Sequence, residues 1–265
     1  MIVADTHIHL YPCYDTALAL RRLVSSLTGA AAHDDTAAAF LTECQGQHVF
    51  RDIQENRLQL GELSAKPTAE KEAMAVLDRG KPVLYLFAGR QIVTAERLEI
   101  LALGMLEDGI ADGGSATNVV KAVLSSGGVP AISWAPGKWL GRRGKTVQAL
   151  IERFAPAELL IGDTSLRPTV FREPALMRWA RSKGLKVVAG SDPLPVPGEE
   201  AYMGVYRSIL AAPFDPDNPV TSVRAALISP DVRATRSGAR CGPLDVLRRL
   251  LRHARAKGSS GSPTA

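Results

Sequence analysis

Cysteine is scarce in this chain: Cys13, Cys44 and Cys241 are odd in number, far apart and without a C-x-x-C pair. That excludes a disulfide framework and a zinc knuckle. No apolar run approaches the roughly 20 residues needed to cross a bilayer, which argues against an integral membrane protein. The opening residues lack a basic segment followed by a long apolar stretch, so no secretory leader is expected and the cytoplasm is the expected compartment. Neither G-x-x-x-x-G-K-[ST] nor G-x-G-x-x-G occurs, which removes support for nucleotide binding by the familiar Gly-rich loops, and no internal repeat is visible.

Charge of one sign is not extreme either. The formal net charge of +5 over 265 residues permits a small anionic partner, and charge alone does not choose among anions. Much of the excess lies in Arg233 to Lys257, where Arg248, Arg249, Arg252 and Arg255 accompany Leu244, Leu247, Leu250 and Leu251 at helical spacing. An amphipathic helix that packs its leucines on the body and leaves its arginines in water accounts for this, so nucleic acid is not the expected partner. Hydrophobic residues make up 46% and charged residues 22% of the chain, which fits one α/β domain over residues 1–255. Within it, 200–255 are expected to form a helical extension, and 256–265 a disordered Gly/Ser/Pro-rich tail.

What the chain does contain is a His-x-His pair, His7 and His9, at the exit of a short apolar strand, Ile2 to Ala4. Residues i and i+2 on an extended backbone point the same way, so the two imidazoles converge, and two converging neutral imidazoles are half a divalent-metal site. Further along, strand-like runs alternate with helical windows. Strands are expected at Ala37 to Thr42, Leu58 to Leu63, Val83 to Phe87, Leu98 to Leu103, Val129 to Trp134, Leu159 to Ile161 and Leu185 to Ala189. Helices are expected at Thr16 to Ser26, Ala116 to Ser125, Thr146 to Phe154 and Pro174 to Lys183. Repeated β-α units mean a parallel sheet. Polar residues stand at the carboxyl ends of the candidate strands, which favours a closed barrel with one mouth over an open doubly wound sheet. Closure would bring Asp192, after the last strand, beside the first, and two imidazoles with one carboxylate suit zinc, manganese or iron.

In order along the chain, several segments then resemble the PHP (polymerase and histidinol phosphatase) family of metal-dependent phosphoesterases, which is close in layout to the amidohydrolases. Asp5-Thr6-His7-Ile8-His9 resembles the opening D-x-H-x-H, and Phe40-Leu41-Thr42-Glu43-Cys44 a strand ending in T-D-H. Gly89-Arg90-Gln91-Ile92 and Leu98-Glu99-Ile100-Leu101 resemble G-x-E-[IV] and [IL]-H-[IL]-L. Gly128 to Pro136 resembles G-[IV]-P-x-x-x-H-P, and Gly190-Ser191-Asp192-Pro193-Leu194 the terminal G-S-D-x-H. The resemblance implies a PHP-like distorted (β/α)7 TIM-type barrel and a first metal held by His7, His9, Gln91 and Asp192. The departures are as informative. Cys44, Glu99, Trp134 and Leu194 stand where histidines are expected, and Gln91 replaces a bridging carboxylate, so one divalent ion is the most that carries over.

Lys138, Arg142 and Arg143 lie in a Gly-rich stretch before a helix expected to begin near Lys145, where cations and backbone N–H groups can meet an anion. Asp163 and Arg167 either orient substrate or pair with each other. Glu43 and Glu99 are candidates for acid/base work, against the alternative of ordinary surface carboxylates. The expected activity is metal-dependent hydrolysis of a small, phosphorylated anion, or of a C–N bond. Asp192 or Glu43 would take a proton, and Lys138 with Arg142 or Arg143 would neutralise developing charge. The competing reading is a barrel that has lost catalysis and survives as a binding or scaffold protein.

Overall fold

A computed structural model of the chain describes residues 1–106 and 109–259. The strands are β1 (Ile2–Ile8), β2 (Thr36–Glu43), β3 (Leu63–Pro67), β4 (Ala73–Asp78), β5 (Lys81–Val93), β6 (Glu99–Leu103), β7 (Val129–Ser133), β8 (Leu160–Thr164), β9 (Val187–Gly190), β10 (Tyr206–Leu210) and β11 (Ala234–Gly238). Between them run the helices α1 (Thr16–Thr28), α2 (Val49–Gln54), α3 (Ala116–Ser125), α4 (Gly141–Arg153), α5 (Ala175–Ser182), α6 (Pro219–Ile228) and α7 (Pro243–Ser259). Local chemistry starts two of them: Asp15 accepts from Leu18 N at 3.0 Å before α1, and Ser115 from Asn118 N at 3.4 Å before α3. Such caps contribute about 1 kcal/mol each. Among the described residues no helix is long and apolar enough to cross a membrane.

The strands form one mixed sheet in the order β11-β10-β1-β2-β5-β6-β7-β8-β9, with the β3-β4 hairpin attached beside β5. The sheet curls into a nearly closed barrel. No backbone ladder joins β9 to β1; instead Thr6 Oγ1 donates to Ala189 O at 3.1 Å, and Asp192 N to His7 O at 2.9 Å. Close approach there depends on Gly190, where a Cβ would lie 2.4 Å from His7 Cβ and 2.6 Å from His7 N.

Period-2 alternation sorts the side chains. Ile2, Ala4, Phe40, Phe87, Leu101, Leu103, Val129, Ala131, Leu160 and Val188 share one core with Val220, Val223 and Leu227 of α6. They line the inner face of the barrel, and α6 closes one end. Residues of opposite parity, such as Leu41 on β2 and Ile161 on β8, belong to two outer cores under the surrounding helices. Continuing the inner parity to the open end leads from Phe87 to Gln91, from Leu101 to Glu99 and from Ala131 to Ser133.

Several expectations change. The strand at Leu98 to Leu103 exists as β6 but is antiparallel to both β5 and β7, so a regular (β/α)7 succession is not what the chain builds. Its reversed direction nevertheless puts Glu99, its first residue, at the mouth. Leu58 to Leu63 is not a strand; β3 starts at Leu63 and pairs with β4, turning into β5 through Arg79 and Gly80, both at positive φ. Residues 200–255 are not purely helical, because β10 adds antiparallel to β1 and β11 to β10. Helix α7 runs through Ser259, so 256–259 are helical, and 260–265 lie outside the described residues.

The largest reversal concerns α7. Leu244 (66%), Leu247 (53%) and Leu251 (47%) are exposed, whereas Arg249 is only 1% exposed. Its buried stripe starts with Val246 and Arg249. Helical periodicity was the correct reading, but which face turns inward was decided by polar partners elsewhere in the fold.

Candidate metal centre

β1 is buried along its whole length, polar residues included. Its pairing with β2 is regular from Ile2 to Asp5 and then shifts before Ile8, an irregularity of the kind that re-aims side chains. Asp5 anchors the bend. Its carboxylate accepts from His7 N at 3.1 Å, Ser191 N at 2.9 Å and Gly204 N at 2.9 Å, and also from the Ser191 hydroxyl. Burial pushes its pKa up to about 6 despite these hydrogen bonds.

His7 and His9 then meet. Their Nε2 atoms lie 3.0 Å apart, and His7 Nε2 also lies 2.8 Å from Gln91 Oε1. Asp192 Oδ1 stands 3.6 Å from His7 Nε2 and 3.9 Å from His9 Nε2. His7, His9 and Asp192 are all buried, and their ligand atoms fall within 4.8 Å of one another. The His7 Nε2 contacts to His9 and Gln91 are also hydrogen-bond contacts whose donor depends on the imidazole tautomer. For four-coordinate zinc with bonds near 2.0–2.1 Å, donors stand roughly 3.3 Å apart, so the spacing fits one divalent ion. Burial, with His7 close by, holds His9 well below the usual imidazole range, which favours the neutral form a metal ligand needs. Burial raises the Asp192 carboxyl.

Around the donors, Ser133 Oγ lies 3.4 Å from His7 Nδ1, and the Tyr11 ring stacks on His9 with centroids 5.0 Å apart. Asp192 sits at φ 49, left-handed backbone that is costly for a non-glycine residue ahead of proline. Its carbonyl accepts from Arg249 Nη2 at 3.2 Å. Sequence reasoning assigned no role to Ser133, Tyr11 or Arg249. Ser133 was reachable from inner-face parity; the other two depend on contacts no local pattern encodes.

The remaining candidates divide. Lys138 donates to the Glu99 carboxylate, and both contribute to the electrostatic environment of Asp192. Glu43 has outer-face parity, and its Oε1 accepts Phe50 N at 2.9 Å in the first turn of α2. Arg142 and Arg143 lie in the first turn of α4, which begins at Gly141 rather than near Lys145. Arg142 is exposed and Arg143 donates to Gly137 O at 2.9 Å. Asp163 and Arg167 pair with each other through two bonds of 2.7 and 2.6 Å. Asp163 also accepts from Tyr206 OH and Arg236 Nη1, each at 2.8 Å, joining β8 to β10 and β11 away from the four donors. A cavity of about 690 Å³ lies behind the 134–140 turn, walled by Trp134, Trp139, Phe171 and Leu247; none of the four donors lines it.

No family model matches this sequence, and no curated protein does. Among solved structures, the chain is similar to PsfC from Pseudomonas syringae, with 17% identity, a TM-score of 0.59 and coverage of 97% of this chain and 98% of that one. That likeness is one of fold. A two-domain protein from Bacteroides vulgatus containing a predicted PHP-like metal-dependent phosphoesterase aligns over 95% of this chain and 69% of its own, at 16% identity and a TM-score of 0.48.

Proposed function

We propose that the chain is a metal-dependent hydrolase of PHP or amidohydrolase type, with one divalent ion, and that its substrate is a small phosphoester. The observation that carries this reading is the meeting of His9 Nε2, Gln91 Oε1 and Asp192 Oδ1 around His7 Nε2. His7, His9 and Asp192 would hold zinc, manganese or iron, with Gln91 adding a neutral carbonyl oxygen. A bound ion would supply Lewis acidity and lower the pKa of water at the site to about 7.

The protein's own groups do the rest. Asp192, whose Oδ1 stands 3.6 Å from His7 Nε2 and 3.9 Å from His9 Nε2, is the carboxylate placed to take and return a proton beside the ion. The Lys138 ammonium, held by Glu99, is a fixed cation near the same carboxylate, where it neutralises charge growing on a phosphoryl oxygen. The engagement of Glu43 with α2 leaves Asp192 as the better proton acceptor. A C–N bond is the alternative substrate for the same site.

Elemental analysis of protein purified without a metal-affinity tag tests the reading, beside His7→Ala and Asp192→Ala variants and a panel of phosphoesters and cyclic amides. About one equivalent of metal, lost in both variants, together with phosphoester turnover that falls in Lys138→Met, is the expected result. No metal in the parent protein, even after incubation with zinc, manganese and iron, would instead favour a non-catalytic barrel.

A further inference from the structure

The buried ion pair between Arg249 and Glu199 is used by none of the steps above. Arg249 is the largest of the fully buried side chains, and Glu199 is likewise 1% exposed. Desolvating two charges is costly, and an apolar pair of similar volume is often as stable. Stability alone therefore gives little account of it. Its contacts are more informative. Arg249 Nε donates to Glu199 Oε2 at 2.8 Å, Nη1 to Ser165 Oγ at 3.0 Å, and Nη2 to Asp192 O at 3.2 Å, while the guanidinium lies 3.9 Å over the Tyr202 ring. The same Glu199 Oε2 accepts Leu194 N at 3.1 Å.

The pair thus grips the backbone on both sides of Pro193. On the far side Asp192 N donates to His7 O at 2.9 Å, and Tyr14 OH donates to Leu194 O. Between these grips sits the one site donor with left-handed backbone, Asp192 at φ 49. A strained conformation persists only where its surroundings over-determine it. Without the clamp, relaxation of Asp192 to an ordinary φ would turn its carboxylate away from the histidines.

We infer that Arg249, braced by Glu199, is a positioning residue that fixes the carboxylate of Asp192 toward His7 and His9, so that α7 forms part of the metal centre although it contributes no ligand. This rests on the reading of the cluster as a metal site. Outer groups that orient metal ligands typically change affinity by 10–100-fold.

The test is calorimetric titration of the full chain with zinc chloride, comparing the parent with Arg249→Met, Arg249→Lys, Glu199→Gln and, as a control on the exposed face of α7, Arg248→Met. Folding of each is confirmed by circular dichroism. The expected result is zinc binding weakened about 10–100-fold in Arg249→Met, less in Arg249→Lys and Glu199→Gln, and unchanged in Arg248→Met. Parent-like affinity in a folded Arg249→Met would overturn the inference, and if that variant does not fold, Arg249→Lys and Glu199→Gln decide.

Hydrogen exchange on the metal-free proteins separates the two readings. Faster exchange of the Asp192 and Leu194 amides in Arg249→Met, with α3 unchanged, supports the clamp even if the parent binds no zinc, in which case it is the metal reading that fails. Unchanged exchange at both amides refutes the clamp.

Discussion

Gln91 Oε1 lies 2.8 Å from His7 Nε2 although 84 positions separate the two residues. The contact joins the middle of the barrel wall to its first strand, and the oxygen is neutral where a carboxylate would add a charge. Gln91→Glu is therefore expected to tighten divalent-metal binding by about tenfold, equivalent to about 1.4 kcal/mol. Titration with zinc and manganese checks this; equal or weaker binding would place Gln91 outside the donor set.

Ser133 reaches His7 through the other ring nitrogen, at 3.4 Å. Removing the hydroxyl frees the imidazole to rotate. Ser133→Ala should lower metal affinity by roughly tenfold while leaving the unfolding midpoint of the metal-free protein within a few degrees.

Gly190 allows β9 to approach β1. An added methyl would fall 2.4 Å from His7 Cβ, and the nearest atoms belong to β1 itself, which cannot step aside without breaking its pairing with β2. Gly190→Ala is expected to destabilise the fold by about 1–3 kcal/mol or more and to abolish metal binding by displacing His7. Denaturant unfolding and the titration above measure the two effects separately.

Asp163, which ties β8 to β10 and β11, makes stability depend on pH. Burial alone would raise its pKa, but the hydrogen bonds and charge of Arg167, the Tyr206 hydroxyl and the Arg236 charge together hold it below the usual carboxylate range. A depressed folded-state pKa gives stability that is present above the unfolded value of about 3.9 and lost as pH falls through the folded value. Asp163→Asn should cost roughly 3–5 kcal/mol at pH 7 by leaving the buried Arg167 without its counter-charge, while Arg236 keeps Glu173. It should also flatten the loss of stability below about pH 4. Both follow from denaturant midpoints measured across pH, and metal content is expected to survive.

The clustering of His7, His9 and Asp192 was legible because it obeys short rules. His7 and His9 follow from spacing on an extended strand, and Asp192 from closure of a sheet whose last strand meets its first. Gln91 was reached by resemblance, and inner-face parity reaches it independently. The same parity separates Thr42 from Glu43 and Gly162 from Asp163, so the outward roles of both carboxylates were available in the alternation. Not legible were the reversed direction of β6, which is set by its antiparallel pairing with two neighbours, and the inward face of α7. For Arg249, apolarity pointed the wrong way, because its partner Glu199 lies fifty residues earlier.

The seam between β9 and β1 also fixes an order of events in time. β1 is made well before its partner β10, which begins at Tyr206, and the carboxylate of Asp5 waits for Gly204, 199 residues later. Until then one edge of a strand that is buried throughout in the finished fold has no neighbour. Contacts of such sequence separation form slowly, and an open edge is a template for pairing with other chains. The pairing of β10 ends this exposure, and the Gly204 bond made just before it completes the anchoring of Asp5, which also holds His7 N, so a nascent chain is expected to settle its site only after these late residues have been made.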